Sequence, residues 1–563
     1  MVKKVFHILN REISGLHEAA YLLGAFAIGS QILALLRDRF FAYTFGASRV
    51  LDLYYAAFRI PDLIFVSVAS MVSVSVLVPF LIDKLKEGED SGKRFIDNGF
   101  SAFFIGIVLV SLAAFILIPV LVPYVLPGFD SEPLKTHLIT LSRIMLLSPI
   151  FLGISNFFAS ITQIYNRFFI YALSPLLYNI GIIVGILVFY PAWGVSGLAW
   201  GVVLGAALHC LVQVPFIKEK KLFPQFRFPV EFKSIKSIVL TSLPRTLTLS
   251  ANQIALFFLV AFASVMGAGS IAVFNFSWNL QSVPLSIIGA SYASAVFPAL
   301  SRFIAQGFRS KFFDDMATSA RHIIFWSLPT MALFVVLRAQ IVRTILGAGN
   351  FSWADTRLTA ACLAIFTLSI VPQSLLLLFI RGYYALGKTW KPLIINIVSS
   401  LFVAGLGYLF LRLFTTVPVF RYFLEQLFKV ENVSGNIVLV LPLAYAIGTI
   451  INAFWHWFSF ALEFRDFSRK VMPTLFASFS AAVIMGYVAH EFLDVFDNIF
   501  NINTLVGIFL QGLCSGLLGI AAGVLVLVLL KNQEIKDVWR TFHHKIWKAK
   551  IVGVDASGSP TIQ

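Results

Sequence analysis

Residues 504–530 read TLVGIFLQGLCSGLLGIAAGVLVLVLL, a run without one Asp, Glu, Lys or Arg. A helix crosses roughly 30 Å of hydrocarbon in about 20 residues, so this run reads as a transmembrane helix. The same reading applied outward along the chain places spans near 18–46, 50–82, 97–126, 136–164, 168–191, 195–217, 236–266, 270–300, 317–347, 354–386, 391–414, 434–464, 470–495 and 504–530. That is fourteen. The runs are continuous and do not alternate, which excludes a transmembrane β-barrel. Charged residues make up 12% of the chain and hydrophobic ones 59%, against about 25% charged in soluble domains. With a mean hydropathy of +0.87, this excludes a soluble enzyme, a disordered chain and a fibrous repeat. The fold class is an all-α polytopic membrane protein.

The 43 Lys and Arg against 27 Asp and Glu leave a formal charge of +16. In a membrane protein, basic residues gather in cytoplasmic loops, and the alternate loops here differ accordingly. One set carries clusters such as Lys84, Lys86, Lys93 and Arg94, then Lys218, Lys220, Lys221 and Arg227. The other set holds only Arg49, Lys135, Arg421 and Lys429. Both termini are therefore expected in the cytoplasm, and no nucleic-acid motif competes for the charge. Cys210, Cys362 and Cys514 lie in apolar runs without metal or redox spacing and read as small core residues.

An internal repeat organises the spans. Residues 172–180, ALSPLLYNI, and 389–397, TWKPLIINI, share P-L-x-x-N-I. FGAS at 45–48 faces MGAG at 266–269 at a similar offset, and each leads into an aromatic-rich helix with a proline, Pro61 and Pro284. An even number of spans separates the copies, so the halves share one orientation. The expected architecture is two parallel six-helix lobes plus a terminal helix pair. Its segments are an amphipathic stretch 1–17, an N-lobe 18–217, a cytoplasmic linker 218–235, a C-lobe 236–464, the pair 470–530 and a basic cytoplasmic tail 531–563.

No Walker loop, HExxH or Cys/His cluster is present, so neither ATP hydrolysis, metal nor cofactor is expected, and the chain is not read as an enzyme. His209 and His456, on apolar helices, read as core histidines. The informative residues are intramembrane charges, since a charge near a helix centre costs at least ~2.5 kcal/mol. Arg37-Asp38-Arg39 lie in the first span, and Asp52, Arg59 and Asp62 in the second. Arg143, Arg245, Arg338, Arg343, Asp355, Arg357 and Arg381 lie in later spans or at their ends. Snorkelling from a helix end accounts for several. It suits Arg37 and Arg59 least, and a water-filled cavity binding an anion such as a phosphate suits them best.

SQILALLRD at 30–38, FGAS, Asp52 and FRIPDL at 58–63 resemble the opening of the MurJ/MviN family. YNRFFIYALSPLLYNIG at 165–181, LGAGNFSWADTRLT at 346–359 and GYYALGKTWKP at 382–392 extend the resemblance over about residues 15–400. The resemblance implies a fourteen-helix member of the multidrug/oligosaccharidyl-lipid/polysaccharide exporter superfamily, a multi-pass protein of the bacterial inner membrane. It also implies an activity: flipping lipid II, the undecaprenyl-diphosphate-linked peptidoglycan precursor, from inner to outer leaflet by alternating access. The partners would be that lipid-linked saccharide and the phospholipid bilayer, and a monomer is expected.

Position by position, the resemblance assigns substrate contacts to Ser30, Arg37, Asp38, Asp52 and Arg59. It also exposes departures. Gln31, Phe65 and Asn279 stand where the family has cavity arginines, and Ser70 stands where it has a glutamate. Gln31, Phe65 and Asn279 would line the same cavity. Either Arg245 and Arg143 replace the lost cations, or the ligand is another lipid-linked oligosaccharide.

Overall fold

The structure is a computed structural model and describes residues 16–68, 74–165 and 167–547. The amphipathic stretch expected at 1–17 falls almost wholly outside the described residues, as do the last residues of the basic tail. Among the described residues the chain is helical, without a strand. Segments this apolar leave the backbone no partner in lipid, so each must close its own hydrogen bonds as a helix.

The first half runs through α1 (Leu16–Phe45), α2 (Arg49–Ala57), α3 (Arg59–Val68), α4 (Val74–Lys86), α5 (Glu89–Val125), α6 (Glu132–Met145), α7 (Leu147–Ile164), α8 (Phe168–Val184) and α9 (Val195–Leu211). The second half runs through α10 (Phe232–Ser264), α11 (Ser270–Leu285), α12 (Ser291–Ala305), α13 (Arg309–Val336), α14 (Arg338–Leu346), α15 (Trp353–Thr367), α16 (Ile370–Ala385), α17 (Trp390–Thr416), α18 (Pro418–Phe428) and α19 (Val440–Glu463). The terminal pair is α20 (Phe467–Asp497) and α21 (Leu505–Leu529), followed by α22 (Gln533–Trp547).

Eleven helical segments among the described residues are long and apolar enough to cross a membrane. They become twelve when α15 and α16, bent by 43° at a short break, are taken as one span. The two further spans expected at 18–46 and 50–82 correspond to α1 and to the broken series α2–α4. Those segments carry the charges named above and run into residues that are not described.

The chain divides into two compact units, one of Met1–Val283, Ile341–Ser369 and Gly387–Trp455, the other of Pro284–Gln340, Ile370–Leu386 and His456–Gln563. The division differs from the repeat boundaries and cuts through helices of the second half. One cut falls at Pro284 in α11, beside a π-helical turn at Ser286–Ala290. Proline and π-turns are where a helix gives up its regular hydrogen bonds. The first unit has a core of Leu77, Phe100, Phe158, Ile161 and Phe216. The second is centred on Met316, Phe379, Tyr383, Phe460 and Phe467.

One arginine shows how such helices repair themselves. Pro119 lies inside α5, and a proline leaves the carbonyl four residues earlier without its helical donor. That carbonyl belongs to Phe115. Arg143 on α6 donates to it from Nε at 3.1 Å and stacks over the Phe115 ring at 4.5 Å.

Candidate functional site

The charges of α1 are held in a polar cluster within the first unit. Arg37 donates to Asp38 Oδ1 from Nε at 3.0 Å and Nη2 at 2.8 Å, and from Nη1 to Asn179 Oδ1 at 3.1 Å. Asn279 donates to the other Asp38 oxygen at 2.9 Å. Both oxygens of Asp38, whose side chain is 3% exposed, are therefore occupied, while Arg37 stays 18% exposed. Asn179 can receive the guanidinium because its own amide donates to the Pro175 carbonyl one turn back, at 3.1 Å. That bond fixes which way the amide faces.

A second arginine sits one helix on. Arg59, at the start of α3, donates to Asn275 Oδ1 at 2.6 Å. Asn275 is oriented the same way as Asn179, its amide donating to the Ile271 carbonyl at 2.7 Å. Asn275 and Asn279 are four residues apart on α11 and share a face, so one face of α11 answers both Arg59 and Asp38. The buried hydroxyl of Tyr55 has no hydrogen-bond partner among the described residues and lies within electrostatic reach of Asp38, Arg37 and Arg59. Arg59 and Asp62 lie within electrostatic reach of each other. The cluster thus sets two arginines, Arg37 and Arg59, beside the acids Asp38 and Asp62.

Beside the cluster three helix ends meet in one junction. Asp52, fully buried, accepts from the Gly269 N–H at 2.7 Å and the Ala272 N–H at 2.9 Å, capping α11. A carboxylate at a helix N-terminus satisfies orphan donors and the helix dipole together. Asn350 caps the end of α1, donating from its backbone to Tyr43 O at 3.0 Å and from its side chain to Thr44 O at 2.8 Å. Arg39 caps α14, donating to Thr344 O at 2.7 Å and Ile345 O at 3.1 Å. Asp355, in a capping box with Ser352, also reaches the Ala47 N–H at 3.5 Å. The two repeat loops press directly on each other: a Cβ on Gly269 (φ +87°) would meet the Ala47 carbonyl oxygen at 2.2 Å. A Cβ on Gly349 (φ +59°) would likewise run into the Tyr43 carbonyl oxygen. Both positions demand glycine for backbone conformation and for space.

The structure thus brings Arg37, Asp38, Asn279, Arg59 and Asp52 into one neighbourhood. Ser30 and Gln31 lie on α1, one to two turns before Arg37, half-buried. Phe65 is half-buried and packs against the Phe100–Phe158 core of the first unit. Arg143 is likewise committed to the Phe115 carbonyl and does not replace a lost cation. Ser70 and the Arg245 side chain fall outside what is described. His209 is a core histidine as expected, its Nδ1 at 2.7 Å from the Ser155 hydroxyl. Sequence reading passed over Asn179 and Asn275. The signal for the first was present: Asn179 is the asparagine of P-L-x-x-N-I.

A duplicated scaffold of membrane-crossing helices, holding buried ion pairs beside a junction of helix ends, defines a polytopic α-helical transport protein. Its family is shown directly. The model of the family described as "Lipid II flippase MurJ" matches residues 41–511, and the chain belongs to that family. A probable lipid II flippase MurJ of Buchnera aphidicola subsp. Schizaphis graminum is 28% identical over 390 residues, 67% of this chain and 74% of the relative. The corresponding protein of Rhizobium tropici is 23% identical over 536 residues, covering 93% of this chain and 96% of the relative. A solved structure titled "Lipid II flippase MurJ, inward closed conformation" matches with a TM-score of 0.71 at 22% identity, over 92% of this chain and all of that one. It supports the fold.

Proposed function

We propose that the chain flips lipid II from the inner to the outer leaflet of the bacterial cytoplasmic membrane by alternating access. The observation that carries this is the family match over residues 41–511, together with an arginine at 37 held ready in a polar cluster. The Arg37 side chain stays 18% exposed, and its guanidinium would meet the diphosphate, with Arg59 and the Tyr55 hydroxyl beside it. The Asp52–Gly269 junction would be the closed extracytoplasmic gate, and both termini would lie in the cytoplasm. Helices α20 and α21 would form the groove for the lipid tail. The chain acts as a single copy in this reading.

Complementation tests it. The chain is expressed in a strain depleted of its own lipid II flippase, and growth should be rescued. A membrane-inserted chain that does not rescue, while the Rhizobium tropici relative does, overturns the reading. One observation favours a second ligand: Asn279 supplies an amide to Asp38 where the family resemblance puts an arginine. Another, less highly charged lipid-linked oligosaccharide would then replace lipid II, and competition between the two in vesicles separates them.

A further inference from the structure

Helix α18 presents a face that the transport cycle does not use. Val419, Tyr422, Phe423 and Leu427 recur at helical spacing and are 78%, 59%, 60% and 55% exposed. The opposite face is built in: Leu424 and Glu425 are buried. Glu425 accepts from Arg421 Nε and Asn436 Nδ2, each at 2.7 Å. The helix is thus rigidly mounted with its apolar side outward. In water, four large apolar side chains in a row would make a sticky patch.

The depth of α18 says what covers it. It begins two residues after α17 ends at Thr416, and it turns back: the Phe420 ring lies 5.9 Å from that of Phe410. Phe410 precedes Thr416 by six residues, about 9 Å along a helix. That level of α17 carries an interfacial pair, Arg412 Nε donating to the Tyr408 hydroxyl at 3.1 Å. Tyrosine and arginine gather where hydrocarbon meets headgroups. Below it, α17 exposes Ile394, Leu401 and Phe402 along a span long and apolar enough to cross a membrane. The exposed face of α18 continues that apolar surface.

We infer that α18 is an interfacial helix, with Val419, Tyr422, Phe423 and Leu427 lying at the boundary between headgroups and acyl chains on the junction side of the bilayer. Its mount leads straight to the junction. Arg357 on α15 donates to the Lys429 carbonyl at the end of α18, from Nε at 3.0 Å, two residues after Asp355 reaches Ala47. The bilayer surface thereby gains a fixed reference point next to the capped helix ends. The inference does not depend on what is transported.

Spin labels on single cysteines at 419, 422, 423 and 427 test it, in full-length chain carrying Cys514→Ser and reconstituted into phosphatidylethanolamine/phosphatidylglycerol vesicles. Cys210 and Cys362 are buried and should take up little label. All four sites should collide with oxygen several-fold more than with a nickel chelate, and a label at exposed Glu431 should show the reverse. Nickel access matching that of position 431 places the face in water and overturns the inference. Immobilised spectra with neither collision place it against a protein, such as a second copy, and also overturn it. A Phe423→Trp variant needs no cysteine chemistry: its added emission should be quenched by lipids brominated near the headgroup end of the chain, and unquenched emission counts against the inference.

Discussion

The two copies of P-L-x-x-N-I place an asparagine at the same point of a repeated helix and use it differently. In the first copy Asn179 receives the guanidinium of Arg37 at 3.1 Å. In the second, Asn396 receives the amide of Asn452 at 2.9 Å. The contrast extends to the neighbouring helices. In the first half, α1 to α3 carry Arg37, Asp38, Asp52, Arg59 and Asp62, whereas α11 of the second half answers with Asn275, Asn279 and backbone N–H groups. The motif keeps its asparagine in both copies and gives it different partners, a guanidinium in the first and an amide in the second.

The sharpest way to break this comparison is to remove the charge. Arg37→Ala should abolish rescue in the complementation assay. It also leaves Asp38 buried with only Asn279 as partner, and an uncompensated buried charge costs about 3–5 kcal/mol. The double variant Arg37→Ala/Asp38→Ala should therefore regain most of the lost thermal stability yet still fail to rescue growth. Rescue by either variant removes Arg37 from the site.

The gate comes next. Asp52→Asn keeps the shape but exchanges a charged acceptor of two N–H groups for an amide that accepts with one oxygen. Charge-assisted bonds are worth about 1.5–3 kcal/mol, so closure of the junction should weaken by roughly tenfold or more. Disulfide trapping between cysteines at Ala47 and Gly269 would be unsuitable, because glycine at 269 is required. A pair at Thr44 and Asn350 also removes a cap. Cysteines at Ala47 and Ala268 leave the caps intact, and their cross-linking yield should fall in the Asp52→Asn background. An unchanged yield means that Asp52 does not hold the junction.

Much of this was legible beforehand, and the residues show why some was not. Uninterrupted apolar runs such as 504–530 report helices whatever their neighbours, so the spans could be read from local sequence. Arg37 and Arg59 stood out because a charge deep in an apolar helix is costly anywhere. Asn179 and Asn275 did not, since an amide in such a helix is cheap and acquires a role only from the helix opposite. Arg39 and Arg143 were visible as charges, but their tasks depend on carbonyls freed elsewhere: the end of α14 for one, Pro119 for the other.

Asn279→Arg would sharpen the comparison by adding a charge to the second copy. Asp38 would then have two cationic partners, and Arg37 could turn more freely toward a ligand. Binding of an undecaprenyl-diphosphate-linked saccharide should tighten by about tenfold, equivalent to ~1.4 kcal/mol. Unchanged or weaker binding in a titration on reconstituted protein would mean that the neutral amide is what this site requires, and would favour the second ligand over lipid II.

The smallest effect belongs to the paired asparagines and tests the division of labour itself. Asn179→Ala and Asn396→Ala delete the same side chain from equivalent places in the two copies. Asn179→Ala removes the bonds to Arg37 and to the Pro175 carbonyl and Asn396→Ala the bond from Asn452, so each should lower stability by about 1–2 kcal/mol, read as a shift in thermal unfolding. Transport should separate them. Without Asn179, Arg37 keeps only Asp38 and loses the bond that directs its Nη1, so the guanidinium is no longer fixed where a diphosphate would meet it. Rescue should weaken severalfold. Without Asn396, the loss falls on a neutral pair between α17 and α19, away from any charge in the described cluster, and rescue should remain near that of the unaltered chain. Equal losses of transport would show that the second copy's asparagine also serves the moving substrate, and that the copies differ in charge but not in task.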